Sequence, residues 1–135
     1  MKILVLHGPN THLIGLQNPN RITLDKINNT IKKEFKKKGI QAKIFQTNSE
    51  SRAINIISQN RNKCDGILIT PTSWSQNGYG INDLLQIIQK PYVCVSTINN
   101  KSTLFKSALN YIANKPIIKS YKKAAIILGE EIQNN

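Results

Sequence analysis

The chain reads as an α/β domain, a doubly wound parallel sheet of five strands with helices on both faces. Three observations predict this. Residues 3–6, 66–70 and 92–96 form short, predominantly apolar runs, as strands buried on both faces of a parallel sheet do. Between such runs lie stretches with apolar residues every three or four positions, so strands and helices alternate. Clusters of Gly, Pro, Asn and Ser punctuate the joins, and no repeat or low-complexity linker interrupts them. The expectation is a single domain over residues 1–135 with strand order 2-1-3-4-5.

The first strand begins at Lys2-Ile-Leu-Val-Leu and ends in His7-Gly8-Pro9-Asn10. Residues 9–21 have no period and read as a long loop, of the kind that often serves as a lid. Thr23 is placed to cap a helix whose inner face is Leu24, Ile27, Ile31 and Phe35. Lys36, Lys37 and Lys38 suit the negative end of its dipole, and Gly39 stops it. Residues 41–47 read as the second strand. Asn48 or Ser49 caps a second helix with Ala53, Ile54 and Ile57 inward, and 60–63 is a polar break. The third strand is 66–70, followed by a loop over 71–80. A third helix carries Ile81, Leu84, Leu85 and Ile88, and Pro91 ends it. The fourth strand is 92–96. A fourth helix is expected from Ser102 or Thr103 with Leu104, Phe105, Ala108, Leu109 and Ile112. A basic connection over 115–123 then leads to a fifth strand at 124–128, and 130–135 is a short helical or disordered tail.

Ligands of such sheets sit beyond the carboxyl ends of the strands. The loops 8–21, 71–80 and 97–101 should therefore meet at one edge. Gly8 permits backbone that side-chained residues resist, and Pro9 fixes φ and removes a donor.

Composition adds one oddity. Lys and Arg number 19 against 7 Asp and Glu, a formal charge of +12. That favours anionic partners such as nucleic acid, acidic surfaces or carboxylate and phosphate ligands, although a chain rich in Asn, Ile and Lys also acquires such a balance without selection. A nucleic-acid role would need Lys36, Lys37, Lys38, Lys115, Lys119, Lys122 and Lys123 to share one face. No apolar run reaches membrane-spanning length and none has the form of a secretory signal, so a cytoplasmic protein is expected. Cys64 and Cys94 form no metal-type spacing and read as reduced thiols. Nucleotide-binding glycine patterns are absent.

Met1 to Asn10, with Leu13-Ile-Gly15, Pro19 and Thr23-Leu24, resembles the opening of the type II 3-dehydroquinate dehydratases. Their pattern there is a strand, Asn- or Gln-Gly-Pro-Asn-Leu-Asn, Leu-Leu-Gly, then Arg-Glu-Pro and Tyr-Gly. Phe45-Gln-Thr-Asn48 with Glu50, Gly66-Ile-Leu-Ile69, and Pro91-Tyr-Val-Cys-Val95 with Asn99 extend the likeness to about Tyr111. It is specific at Gly8-Pro9-Asn10. The resemblance implies a flavodoxin-like fold, trimers packed into dodecamers, and dehydration of 3-dehydroquinate to 3-dehydroshikimate, a shikimate-pathway lyase step, without metal or cofactor. The family's chemistry uses a tyrosine base made acidic by an arginine, an asparagine-held water, and a histidine acid oriented by a glutamate.

Carried over residue by residue, the site is depleted. Asn10 matches the family's first-loop asparagine. Gln17 stands at the arginine, and the lid is shortened so that Asn20-Arg21-Ile22 holds no tyrosine; Arg21 is the nearest substitute cation. The family's Asn-Pro-Gly-(Ala)-(Phe/Tyr)-(Ser/Thr)-His becomes Thr70-Pro-Thr-Ser-Trp-Ser-Gln76, with Thr70 for the asparagine and Gln76 for the substrate-binding histidine. Glu-Val-His becomes Cys94-Val95-Ser96, and Thr97 and Ile98 follow as substrate-binding positions. Asp83 matches an aspartate that in the family reaches a neighbouring subunit's site. Serine and glutamine donate no proton near neutral pH. The expectation is a dehydroquinase relative whose proton-transfer residues are gone, a scaffold or binder of small carboxylates.

Substitutes remain to be weighed. His7 and His12 are the only histidines, and either could replace the acid or base; the plain alternatives are a hydrogen-bonded strand-end histidine and an exposed one. Tyr79 offers a phenol but stands where aromatics usually pack. Cys94, among apolar neighbours, reads as an inert buried thiol. Trp74 could stack on a ligand or fill a subunit contact.

Overall fold

The structure is a computed structural model and describes residues 1–97, 104–113 and 115–134. Five parallel strands, β1 (Lys2–His7), β2 (Gln41–Gln46), β3 (Gly66–Thr70), β4 (Tyr92–Val95) and β5 (Asn110–Ile112), form one sheet in the order β2-β1-β3-β4-β5. The pairing is in register along the site-bearing strands: His7 lies opposite both Gln46 and Thr70.

Side-chain alternation divides the sheet between two cores. Ile3, Val5, Leu68, Val93 and Val95 face α1 (Leu24–Lys36) and α5 (Ile117–Gln133), which bury Ile27, Ile31, Phe35, Tyr121, Ala124 and Leu128 against them. Leu4, Leu6, Ile67, Ile69 and Cys94 face the other way. There α2 (Glu50–Asn60) and α4 (Tyr79–Ile88) supply Ala53, Ile57, Ile81 and Leu85. Thr23 caps α1 and Ser49 caps α2, each accepting an N–H three residues on. Gly39, at φ +70, turns the chain after the lysine run.

The expected order of strands is present, but its last member comes from another segment. Residues 110–112, expected to end a helix, are β5, pairing Asn110, Tyr111 and Ile112 with Val93, Cys94 and Val95. Of the expected fourth helix, residues 102 and 103 lie outside the described residues. Residues 104–109 are turns: Phe105 is left-handed at φ 59, which an α-helix does not accommodate, and Leu109 donates its N–H to the Tyr92 carbonyl at 2.9 Å. Residues 124–128, expected as the fifth strand, lie within α5, which also takes in most of the supposed basic connection and tail. The reason is periodic. Tyr121, Ala124, Ala125, Leu128 and Ile132 recur every three or four residues and bury one stripe, while Ile126 within the apolar run is 43% exposed.

Two loops also acquire structure. Thr11–Leu16 forms a 3₁₀ turn in the lid, and α3 (Trp74–Asn77) is a single turn after β3, so that α4 begins earlier than the apolar pattern alone placed it. Among the described residues no helix is long and apolar enough to cross a membrane.

Candidate functional site

The carboxyl ends of β1 and β3 are fastened together. Gly8 donates its N–H to the Thr70 carbonyl at 2.8 Å. A Cβ on Gly8 would stand 2.8 Å from the carbonyl oxygens of Thr70 and Pro71, and 3.0 Å from the Trp74 ring. Only glycine allows the two strand ends this approach. Trp74 is therefore a buried lid over Gly8 within the α2/α4 core, which decides its role as packing.

The loop beyond is held by short polar side chains. The Thr72 hydroxyl donates to the Pro9 carbonyl at 3.0 Å, and Thr11 donates to the Gly8 carbonyl at 2.8 Å. From the β2 side, Asn48 Oδ1 accepts the Asn10 N–H at 3.0 Å and the Gln46 amide at 3.1 Å; Gln46 also reaches the Gly8 carbonyl at 3.2 Å. Asn10 is left-handed at φ 65 and Thr72 at φ 47. Thr72 stands where the resembled pattern has glycine, so a β-branched residue here occupies backbone that glycine enters freely. Non-glycine residues in such conformations gather at sites where the surroundings fix them.

Beneath this rim runs a buried polar chain. His7 is completely buried. Its Nε2 lies 2.8 Å from Asn28 Oδ1, and its Nδ1 lies 3.0 Å from the Thr70 hydroxyl. Thr70 in turn is 2.6 Å from the Tyr121 hydroxyl, and the Tyr121 ring meets the imidazole edge-on at 5.9 Å between centroids. Asn28 Oδ1 accepts, so Nε2 carries the proton. Nδ1 then accepts from Thr70, which accepts from Tyr121. Burial lowers His7 from 6.5 to about 4, against the opposing pull of its bond to Asn28, so the ring is neutral at pH 7. The same burial pushes the Tyr121 phenol well above its ordinary range.

The expected site residues thus separate into two groups. Thr70, expected at the ligand, is fully buried and turned into the α1/α5 core. That corrects its placement: its position in β3 shares the face of Leu68, and Tyr121 takes its hydroxyl. His7 is likewise enclosed. Asn10, His12, Gln17, Arg21, Gln76 and Asp83 are exposed, and Ser96 and Thr97 are partly so. Ser96 donates its backbone N–H to the Ile112 carbonyl at 2.7 Å. Ile98 lies outside the described residues. His12 and Arg21 line one surface cleft of about 390 Å³ with Leu13, Gly15, Leu16 and Thr23. Arg21 is left-handed at φ 50. Asp83 and Tyr79 lie on the outer side of α4, Tyr79 being 62% exposed. Cys94 is buried, and burial pushes its thiol far up; the Cys64 thiol is raised for the same cause.

Asn28 and Tyr121 were missed from sequence. Asn28 had a signal: it interrupts the apolar face of α1 near the helix start, the end that approaches the strand termini. Tyr121 had one only if the 3–4 spacing of α5 is read through the apolar run. Lys38, at the end of the lysine run, lies against Gly129 in the last part of α5, ten residues, about 15 Å, along that helix from Lys119.

Fold and site together define a doubly wound α/β protein with its polar loops gathered at the carboxyl ends of β1 and β3. The Dehydroquinase class II family model matches residues 1–125. A 3-dehydroquinate dehydratase of Geotalea daltonii is 39% identical over 106 residues, covering 75% of this chain and 74% of the relative. That of Caldanaerobacter subterraneus subsp. tengcongensis is 33% identical over 133 residues, covering 95% and 90%. Among solved structures, the type II dehydroquinase from Butyrivibrio crossotus superposes with a TM-score of 0.84 at 28% identity, over 95% of this chain and 97% of that one. A 3-dehydroquinate dehydratase-like protein from Bifidobacterium longum, at 19% identity and TM-score 0.74 over 100% and 99%, shares the fold. This chain belongs to the class II dehydroquinase family.

Proposed function

We propose that this protein keeps the dehydroquinase framework without the family's proton transfers, and holds a small polyhydroxylated carboxylate without turning it over. The observation that supports this reading is the condition of His7. A general acid needs a pKa near the working pH and an open path to the leaving group. His7, with a pKa of about 4, both ring nitrogens bonded and no exposed surface, has neither. Ser96 stands at the resembled acid and Cys94, a buried thiol, at its orienting glutamate. Two hundred-fold effects lost together reduce such a reaction by about ten-thousand-fold. Ligand holding falls to Asn10, Arg21, Gln76, Ser96 and Thr97, with Arg21 as the cation for a carboxylate. Self-association belongs to the same reading: α4 leaves Tyr79 and Ile87 62% and 75% exposed on either side of Asp83. So does a cytoplasmic setting, with both cysteines free.

One observation favours a second reading, an active 3-dehydroquinate dehydratase rebuilt in the lid. His12 and Arg21 line the same cleft, which brings an imidazole and a guanidinium together where the family's arginine and tyrosine are missing.

Calorimetric titration with quinate tests whether such a ligand is held. The proposal expects saturable binding, weakened about tenfold by Arg21→Ala, as loss of one charge-assisted contact implies. Absence of binding at millimolar quinate contradicts it.

A further inference from the structure

Among the described residues the edge strand β2 pairs only with β1, so its outer side is open. Gln41 and Thr47 both turn their N–H groups to the β1 chain, donating to the Met1 and His7 carbonyls. By the two-residue period, Ala42, Ile44 and Gln46 present theirs to the open edge.

Lysines flank that edge on both faces. On the α1 side, Lys32 and Lys36 line a cleft of about 420 Å³ with Gly39, Gln41 and Ala42. On the α2 side, Lys2, Lys43 and Lys63 line a smaller hollow of about 60 Å³ with Asn60. Lys43 lies over the Phe45 ring, its Nζ 5.4 Å from the centroid, which holds the ammonium at the surface. Lys32, Lys36, Lys43 and Lys63 have no carboxylate partner among the described residues; Lys37 pairs with Glu34 at 3.1 Å, and Asp65 accepts the Lys2 backbone N–H at 2.8 Å.

We infer that the open edge of β2, with Lys2, Lys32, Lys36, Lys43 and Lys63 on its two sides, binds the phosphate backbone of a single-stranded nucleic acid. This site is remote from the strand ends at Asn10 and does not depend on the function proposed there. Lysines on an edge strand also repel a second strand, but that role needs charge on the strand itself. Here only Lys43 belongs to β2; the others come from α1, β1 and the turn after α2. A flexible backbone can reach cations on both faces of a ridge one strand wide, and outward N–H groups add donors for phosphate oxygens. A flat membrane reaches one face at a time. Apart from Met1, the exposed large apolar side chains among the described residues that would enter it lie elsewhere, in the lid, on α4, in the turn before β5 and on α5.

The test is fluorescence anisotropy with a labelled single-stranded RNA of about 20 nucleotides, over salt from about 50 to about 200 mM. K32Q/K36Q/K43Q is compared with K115Q/K119Q/K123Q, which removes the same charge away from the edge. The inference expects the first variant to lose about tenfold or more in affinity and about 2 in the slope of log K against log salt, and the second to stay within about twofold. Equal losses in both would reduce the effect to net charge and overturn the inference. No binding by the parent protein, or tighter binding to phosphatidylserine vesicles than to the RNA, would also overturn it. Circular dichroism of each variant confirms that a loss of affinity is not a loss of fold.

Discussion

His7 occupies a strand position that the family's pattern fills with asparagine or glutamine, and it is the titratable group whose environment matters most here. Its pKa is lowered on folding, so the unfolded chain binds the proton more readily. Stability from this residue is intact above pH 6.5, falls as pH drops from there toward about 4, and levels off below. Between pH 7 and pH 4.5 the loss comes to roughly 2 kcal/mol. His7→Gln keeps a donor and an acceptor and removes the titration. Urea unfolding at the two pH values should therefore show a difference smaller by about that amount in the variant; an unchanged difference would mean that carboxylates, not His7, set the acid response. Next to it, Gly8→Ala places a methyl 2.8 Å from two carbonyl oxygens. It should cost about 1–3 kcal/mol of unfolding free energy, as other overpacked substitutions do. A variant as stable as the parent would show that β1 and β3 ends have room to part.

At the level of elements, α5 carries a cost that the strand reading of its apolar run would not predict. Tyr121 reaches from α5 to Thr70 in β3, and Tyr121→Phe deletes one bond of a fully buried chain. A loss of about 1–2 kcal/mol is expected, read from the urea midpoint at constant slope. No change would mean that the hydroxyl is dispensable to the packing of α5 on the sheet. The same helix shows where sequence reading fails. The strands β1, β3 and β4 were legible because they are buried on both faces and contain little but apolar residues. The helices α1, α2 and α4 were legible from their spacing, and the caps Thr23 and Ser49 from their residue types. In α5 the five residues Ala124 to Leu128 mimic a buried strand, and the deciding stripe from Tyr121 to Ile132 emerges only over a longer window. The three-residue β5 carries too little pattern to compete with the helical spacing around Phe105, which its left-handed backbone forbids. In the site, Asn10 and the Gly8-Pro9 turn could be read from local chemistry. The bonding of His7 could not, because Asn28 and Tyr121 are brought to it by α1 and α5 from residues far apart in the chain.

Across the molecule, the two ends of the sheet present different chemistry. The carboxyl ends carry a rim of amides and hydroxyls over a sealed neutral core. The amino-terminal part of the β2 edge carries unpaired lysines and open backbone. The family's fold is retained, and at the heart of its carboxyl edge His7 and Thr70, opposite each other in the β1–β3 register, bond to one another. Turnover of 3-dehydroquinate, followed by the ultraviolet absorbance of the enone product at high concentration of folded protein, tests this account most directly. The account predicts a trace no steeper than that of a His7→Gln, His12→Ala, Gln17→Ala variant. Product formed by the parent and abolished by His12→Ala alone would contradict it, and would place a working general acid or base in the lid.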